Sequence, residues 1–167
     1  VGHLMYSRIW NRYLYNKGLA PTKEPFKKLV HQGMILGANG IKMGKRFPEF
    51  VVNPSEVVRD YGADTLRLYE MFMGPLEVSK PWSDAGVEGA RRFLNRVWAF
   101  FTEPENIVDC DVPALDKIYH KSVKKVTDDF EKLAFNTAIS QMMIFVNAVY
   151  KEGKCSREYA EGFIKML

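Results

Sequence analysis

Hydrophobic residues recur at helical spacing through most of this chain. Leu4, Ile9, Tyr13 and Leu14, with Met5 and Trp10, predict a helix from Gly2 to Lys17, and Gly18 follows as its stop. After the connector Ala20–Pro25, Thr22 before a proline-flanked start predicts a short helix around Phe26 to His31. Gln32 to Gly37 is a short apolar run between two glycines, too short for a helix, and reads as a buried strand. Asn39-Gly40 is a hairpin signal, so Ile41 to Met43 is expected to return antiparallel.

Helical periodicity resumes at Asn53, a capping residue followed by Pro54 at the first helical position. That helix ends at Gly62, and a second runs from Ala63 to Met73, stopped by Gly74-Pro75. Ser83 opens a third, with Val87, Ala90, Phe93, Leu94, Val97 and Trp98 on its apolar face. Residues 104–113 read as a loop. Two long helices fit 114–131 and 132–151, and the stripe Phe135, Ile139, Ile144 and Val146, with Met142 and Met143, is expected in the core. Ser156 caps a last helix whose stripe, Tyr159, Phe163, Ile164 and Leu167, runs to the final residue and is expected to await partners. The class is mainly α, in three stretches: a mixed part with a short strand and hairpin (1–50), a helical connector (51–82) and a helix bundle (83–167).

Composition narrows the classes. A chain of 167 residues that is 47% hydrophobic and 26% charged has the material for a core and is not a disordered tail. No apolar run approaches the roughly 20 residues of a membrane span, so no membrane partner is expected. Two cysteines, Cys110 and Cys155, make neither a zinc ribbon nor a disulfide framework and point to a reducing cytoplasm. The net charge of +4 is uneven. Residues 1–46 hold nine Lys/Arg and one acid, Glu24, while the remainder is net acidic. A basic first quarter fits phosphate binding; a solvated basic surface fits the same count.

The candidate chemistry sits in Lys42-Met43-Gly44-Lys45-Arg46, three cations within five residues after the hairpin. Mobile cations there suit the charge that builds on a polyphosphate during displacement; the alternative is a solvated turn. His3, His31 and His120 have no ligand cluster around them, so no metal site is expected. There is no P-loop, G-x-G-x-x-G turn or Ser-His-Asp set. Asp128 and Asp129 read as ordinary helix-face acids. Lys121, Lys124 and Lys125 read as a solvated face, with a phosphate backbone as the other reading.

Taken in order, Gln32–Leu36, Lys42–Arg46, Val51–Pro54 and Tyr61–Arg67 resemble the stretch around the KMSKS signature of class I aminoacyl-tRNA synthetases. Leu68–Pro75 and Gly86–Trp98 resemble the leucyl branch, and His3–Arg8 looks like the end of that branch's E-H-x-x-x-H-L-L-Y-x-R segment. The resemblance implies the last part of a Rossmann-like catalytic domain, a connector that contacts the tRNA stem, and the start of a helical tRNA-binding bundle. It implies ATP as substrate with Mg²⁺, no prosthetic group, and leucine and tRNA(Leu) as partners of a full-length monomer. It places Lys45 on the ATP phosphates with Lys42 as the other signature lysine, Met34 and Ile35 on the strand bordering the adenine, and His3 at the aminoacyl-adenylate pocket.

The chain departs from the family pattern at Gly44 and Arg46, where serines are usual. Leu36 and Lys42 lie six positions apart, without the extra domain some bacterial leucyl enzymes carry there. The HIGH signature, the editing insertion and the first Glu-His of the opening segment are not in the chain. It is therefore expected to be a fragment, inactive alone and prone to self-association. A helical RNA-binding module without chemistry and a valyl- or isoleucyl-type fragment are the alternatives.

Overall fold

The computed structural model describes residues 2–167. The chain forms two compact units, Val1–His31 and Gln32–Leu167. In the first, α1 (Gly2–Asn16) ends where Gly18 takes a positive φ of 73°. The connector folds back on it. Asn11 Nδ2 donates to the carbonyls of Thr22 (2.8 Å) and Lys23 (3.0 Å), and the Glu24 carboxylate accepts from Arg8 and Arg12. Those bonds, Arg8 first, hold the Glu24 carboxyl down at about 2. The helix expected over Phe26–His31 does not form. Thr22 spends its hydroxyl on the Glu24 carbonyl (3.0 Å) instead of capping, and Phe26 and Leu29 stay exposed. A helix that short is not stable without a buried face.

In the second unit β1 (Ile35–Leu36) pairs in parallel with β2 (Lys80–Pro81). The hairpin is a single antiparallel bridge from Leu36 to Lys42, turned by Gly40 at φ 74°. The strand is half-buried, not fully buried, and Met34 is exposed. Helices α2 (Pro54–Tyr61) and α3 (Ala63–Phe72) follow, α2 capped by Asn53, which accepts from the Ser55 N–H at 3.0 Å. Ser83 caps α4 (Asp84–Phe101) through the Gly86 N–H. Val57, Leu66, Tyr69, Trp82, Val87 and Ala90 form one core around this joint.

A second core lies between α4 and three further helices, α5 (Pro113–Glu131), α6 (Phe135–Glu152) and α7 (Arg157–Met166). Phe145 and Phe163 lie at its centre, fully buried. A parallel pair of two-residue strands, β3 (Ile107–Val108) and β4 (Cys155–Ser156), ties the loop before α5 to the start of α7. The fold is mainly helical, as the pattern predicts. The stripe of α1 buries nothing fully, and in the second unit Trp98 is 73% exposed, Ile144 and Ile164 about half, and Leu167 is exposed. The α7 stripe finds partners within the chain, since Phe163 stacks on Phe101 and Tyr159 on Tyr119.

Asp129 is not the ordinary surface acid it reads as. It is 5% exposed and accepts from Lys125 Nζ (2.6 Å) and Thr137 Oγ1 (2.6 Å), while its carbonyl takes the Ala134 N–H (2.7 Å). It thereby closes the turn between α5 and α6, where Leu133 holds a φ of 58°. Burial raises its pKa, but the bonds from Lys125 and Thr137 outweigh that and hold the carboxyl below its usual range. A depressed pKa contributes stability above the unfolded carboxyl's range and loses it as pH falls through the folded value. Asp129→Ala is expected to cost roughly 2 kcal/mol at neutral pH and to shrink the acid dependence of unfolding. Urea titrations at pH 7 and pH 3 measure both, and a neutral-pH loss below about 0.5 kcal/mol would remove the carboxylate from this role.

Candidate functional site around the basic loop

The site is built on β1 and the turn that follows it. Met34 donates its N–H to Ser79 Oγ (2.9 Å) and its carbonyl accepts from Lys80 N–H (3.0 Å), while the Leu36 carbonyl accepts from Trp82 N–H (2.9 Å). Both residues therefore spend backbone groups on the 79–82 segment. Because successive residues of a strand point opposite ways, the N–H and C=O of Ile35 point to the other edge. β2 thus lies along one edge of the strand, and Ile35 faces the other, where the 41–43 segment returns through the Leu36–Lys42 bridge.

Gly37 starts the turn, donating to the Ile41 carbonyl (2.9 Å), and Asn39 Oδ1 accepts from the Ile41 N–H (3.0 Å). Lys42 sits on the bridge to Leu36. Met43 turns inward and its sulfur accepts from the Val52 N–H (3.5 Å). Lys42, Lys45 and Arg46 are exposed, and none makes an ion pair with a carboxylate among the described residues. Arg46 lies over the Phe47 ring at 5.3 Å. Gly44 has open space around it.

A cavity of about 230 Å³ lies against β1, lined by Met34, Ile35, Glu70, Met73, Leu76 and Lys80 among others. Lys80 was not singled out by sequence. Its Nζ donates to the Pro75 carbonyl (2.6 Å), and burial pulls its pKa below the usual lysine range. Two strand residues after a turn leave no periodicity to detect, so only the lysine's proximity to the cavity reveals it. Of the candidate residues, Met34, Ile35, Lys42 and Lys45 share this unit, with Lys42 bridged to the strand. His3 lies in the other unit, exposed on α1. The larger cavity, about 530 Å³ and mostly apolar, lies between α3, α4 and α6 and includes none of them.

Among the described residues no three His, Cys, Asp or Glu side chains cluster to hold a metal ion. The chemistry available is cationic: two ammonium groups and a guanidinium free of carboxylate partners on one turn, beside β1.

Residues 7–78 match the family model of tRNA synthetases class I (I, L, M and V). The chain is also similar to agnB2 LeuRS of Agrobacterium radiobacter K84, whose crystal structure is a ternary complex with tRNA and LeuAMS. The likeness has a TM-score of 0.75 at 31% identity over 98% of this chain, which spans 23% of the length of that one.

Gly33 is where the strand and its neighbour come closest. Its N–H donates to the Leu76 carbonyl (2.8 Å), and a Cβ there would overlap the Val78 carbonyl group and come within 2.6 Å of the Ser79 nitrogen. Backbone cannot give way as a side-chain tip can. Gly33→Ala is expected to destabilise the unit by about 1–3 kcal/mol and to speed protease cleavage near Lys42–Arg46. Thermal unfolding with limited trypsin digestion measures it; unchanged stability would mean that β1 is not held this tightly against 76–79.

Proposed function

We propose that this chain is part of a class I tRNA synthetase and that the whole protein is a leucine–tRNA ligase, a reading supported by the family match over residues 7–78 and the likeness to a LeuRS. The leucine carboxylate attacks the α-phosphorus of ATP and pyrophosphate leaves; a terminal ribose hydroxyl of tRNA(Leu) then attacks the acyl carbon and AMP leaves. The observation that carries the reading is the basic loop, with Lys42, Lys45 and Arg46 exposed and free of carboxylate partners beside β1. Charge that develops on the phosphates is stabilised most by cations whose field is not already cancelled.

In this reading Lys45 contacts the phosphates and Lys42 supports it from the strand bridge. The backbone of Met34 and Ile35 borders the adenine. His3 belongs to the adenylate pocket. Magnesium rides on the ATP phosphates as part of the substrate. Residues 1–50 are the last part of the catalytic domain, 51–82 the connector and 83–167 the start of the tRNA-binding bundle. Since the chain spans 23% of its leucyl relative, residues 1–167 by themselves are proposed to be inactive. No helix among the described residues is long and apolar enough to cross a membrane, and we place the enzyme in the cytoplasm.

ATP–pyrophosphate exchange by the whole protein tests this. Leucine, not valine or isoleucine, is expected to drive exchange. Lys45→Ala is expected to slow it by roughly 10²–10³-fold, and a rate within about twofold of the parent would take Lys45 out of the reaction. Gly44→Ser is expected to retain exchange within a few-fold, because a Cβ at Gly44 meets nothing within 4 Å and the added side chain restricts the unbound loop. Loss of all exchange in that variant would mean that this turn is not the phosphate-binding loop.

A further inference from the structure

We propose that Lys80 is a positioning residue for ATP, its ammonium closing a ring of hydrogen bonds that grips β1. The proposal rests on the reading of β1 as the border of the adenine. The ring starts on the strand, where the Met34 carbonyl accepts the Lys80 backbone N–H (3.0 Å) and the Met34 N–H goes to Ser79 Oγ (2.9 Å). The Lys80 side chain reaches back along the turn before it, and Nζ donates to the Pro75 carbonyl (2.6 Å). The same carbonyl takes the Val78 N–H (3.2 Å), so the turn 75–78 is bonded twice at one oxygen. One residue on, the Leu76 carbonyl accepts the Gly33 N–H (2.8 Å), which returns the ring to the start of the strand. Gly33 and Met34 are thus held from both ends of the 75–80 segment, and the Lys80 ammonium is the ring's one charged member.

The lysine stem is fitted to its path. It crosses Gly74, which holds a φ of 144°, and a Cβ there would lie 2.7 Å from Lys80 Cε and 3.0 Å from Nζ. A solvated lysine needs no such clearance. Glu70 of α3 lines the same cavity and Glu77 lies exposed in the turn, yet Lys80 makes no ion pair with either among the described residues. The charge is spent on a carbonyl instead, a bond stronger than one between neutral groups. β1 needs this support, because its ladder with β2 is only two residues long and an isolated pair of strands is marginal by itself. What the ring fixes is a surface for the ground state. Contacts to the adenine do not change as the α-phosphorus reacts, so a well-placed strand binds substrate and transition state alike. Loosening it raises the KM for ATP and leaves kcat. The cations of the basic loop act the other way, on charge that appears only as the reaction proceeds.

The test uses the whole protein, with leucine-dependent ATP–pyrophosphate exchange and equilibrium dialysis of ATP run on each variant. Lys80→Met keeps the stem, the backbone bonds of β2 and the Val78 bond to Pro75, and removes only the ammonium. It is expected to raise the ATP KM and the ATP dissociation constant about fivefold, with kcat and the leucine KM within about twofold of the parent. Lys80→Arg returns a cationic donor and is expected to bring ATP affinity back to within about twofold of the parent. Glu77→Gln is the control and is expected to match the parent within about twofold. Unchanged ATP affinity in Lys80→Met would overturn the proposal. So would a lower kcat at unchanged ATP KM, which marks loss of folded enzyme and not a displaced strand. A loss in Lys80→Arg as large as in Lys80→Met, or an equal effect of Glu77→Gln, would overturn it too. If the parent binds ATP without leucine-dependent exchange, the ligase reading falls, and a weaker ATP dissociation constant in Lys80→Met alone still supports the role of Lys80. A parent that neither binds ATP nor exchanges overturns both.

Discussion

The Tyr69 hydroxyl accepts the Ser83 N–H at 2.8 Å, and the Trp82 ring stands edge-on to Tyr69 with centroids 5.0 Å apart. Much of the second unit hangs on this joint. Trp82 donates its backbone N–H to the Leu36 carbonyl and its indole N–H to Asp84 at the first turn of α4. The same two rings therefore fix the strand under the basic loop, the body of α3 and the origin of α4. Burial raises the Tyr69 pKa, which keeps the phenol neutral across ordinary pH and the joint insensitive to it. Gly86 is part of the arrangement, because a Cβ there would run into the Tyr69 ring.

How far the sequence discloses this depends on the range of each interaction. Local signals read well. Asn53, Ser83 and Ser156 cap as their types predict, since a cap is a bond within three residues of its own position. Gly153 ends α6 with a left-handed φ of 73° for the same local reason. The parallel pairs β1–β2 and β3–β4 do not read at all. Each strand is two residues long, too short to alternate, and its partner lies more than forty positions away. Trp98 and Ile144 mislead because periodicity states which face is apolar, not how far the neighbouring helix extends over it.

The site divides along the same line. The cluster Lys42, Lys45 and Arg46 is visible in five consecutive residues. That its charges are free is not visible, because freedom depends on where every carboxylate of the fold comes to rest. The same holds for the lysines of α5, where Lys124 and Lys125 look as free as Lys42 in sequence and prove paired in the fold. Lys80 becomes apparent only once residues 75–82 fold against 32–36.

Preorganised cations stabilise a developing charge better than mobile ones, because no reorganisation is needed at the moment of reaction. By that measure the basic loop is two-thirds prepared. Lys42 is fixed by the bridge to Leu36, and Arg46 rests over the Phe47 ring. Between them, Gly44 and Lys45 are held by a single turn bond, Phe47 N–H to the Gly44 carbonyl at 3.2 Å, with open space around Gly44. Only this short turn is left for a polyphosphate to order. Fixing one or two residues costs on the order of 1–2 kcal/mol each, less than the roughly 2.7–4 kcal/mol that one well-placed donor supplies to a transition state. A glycine at position 44 widens what must be ordered but keeps the sum favourable, provided that both flanks stay anchored. The anchoring of those flanks returns to Leu36, and through its carbonyl to Trp82 and the aromatic joint.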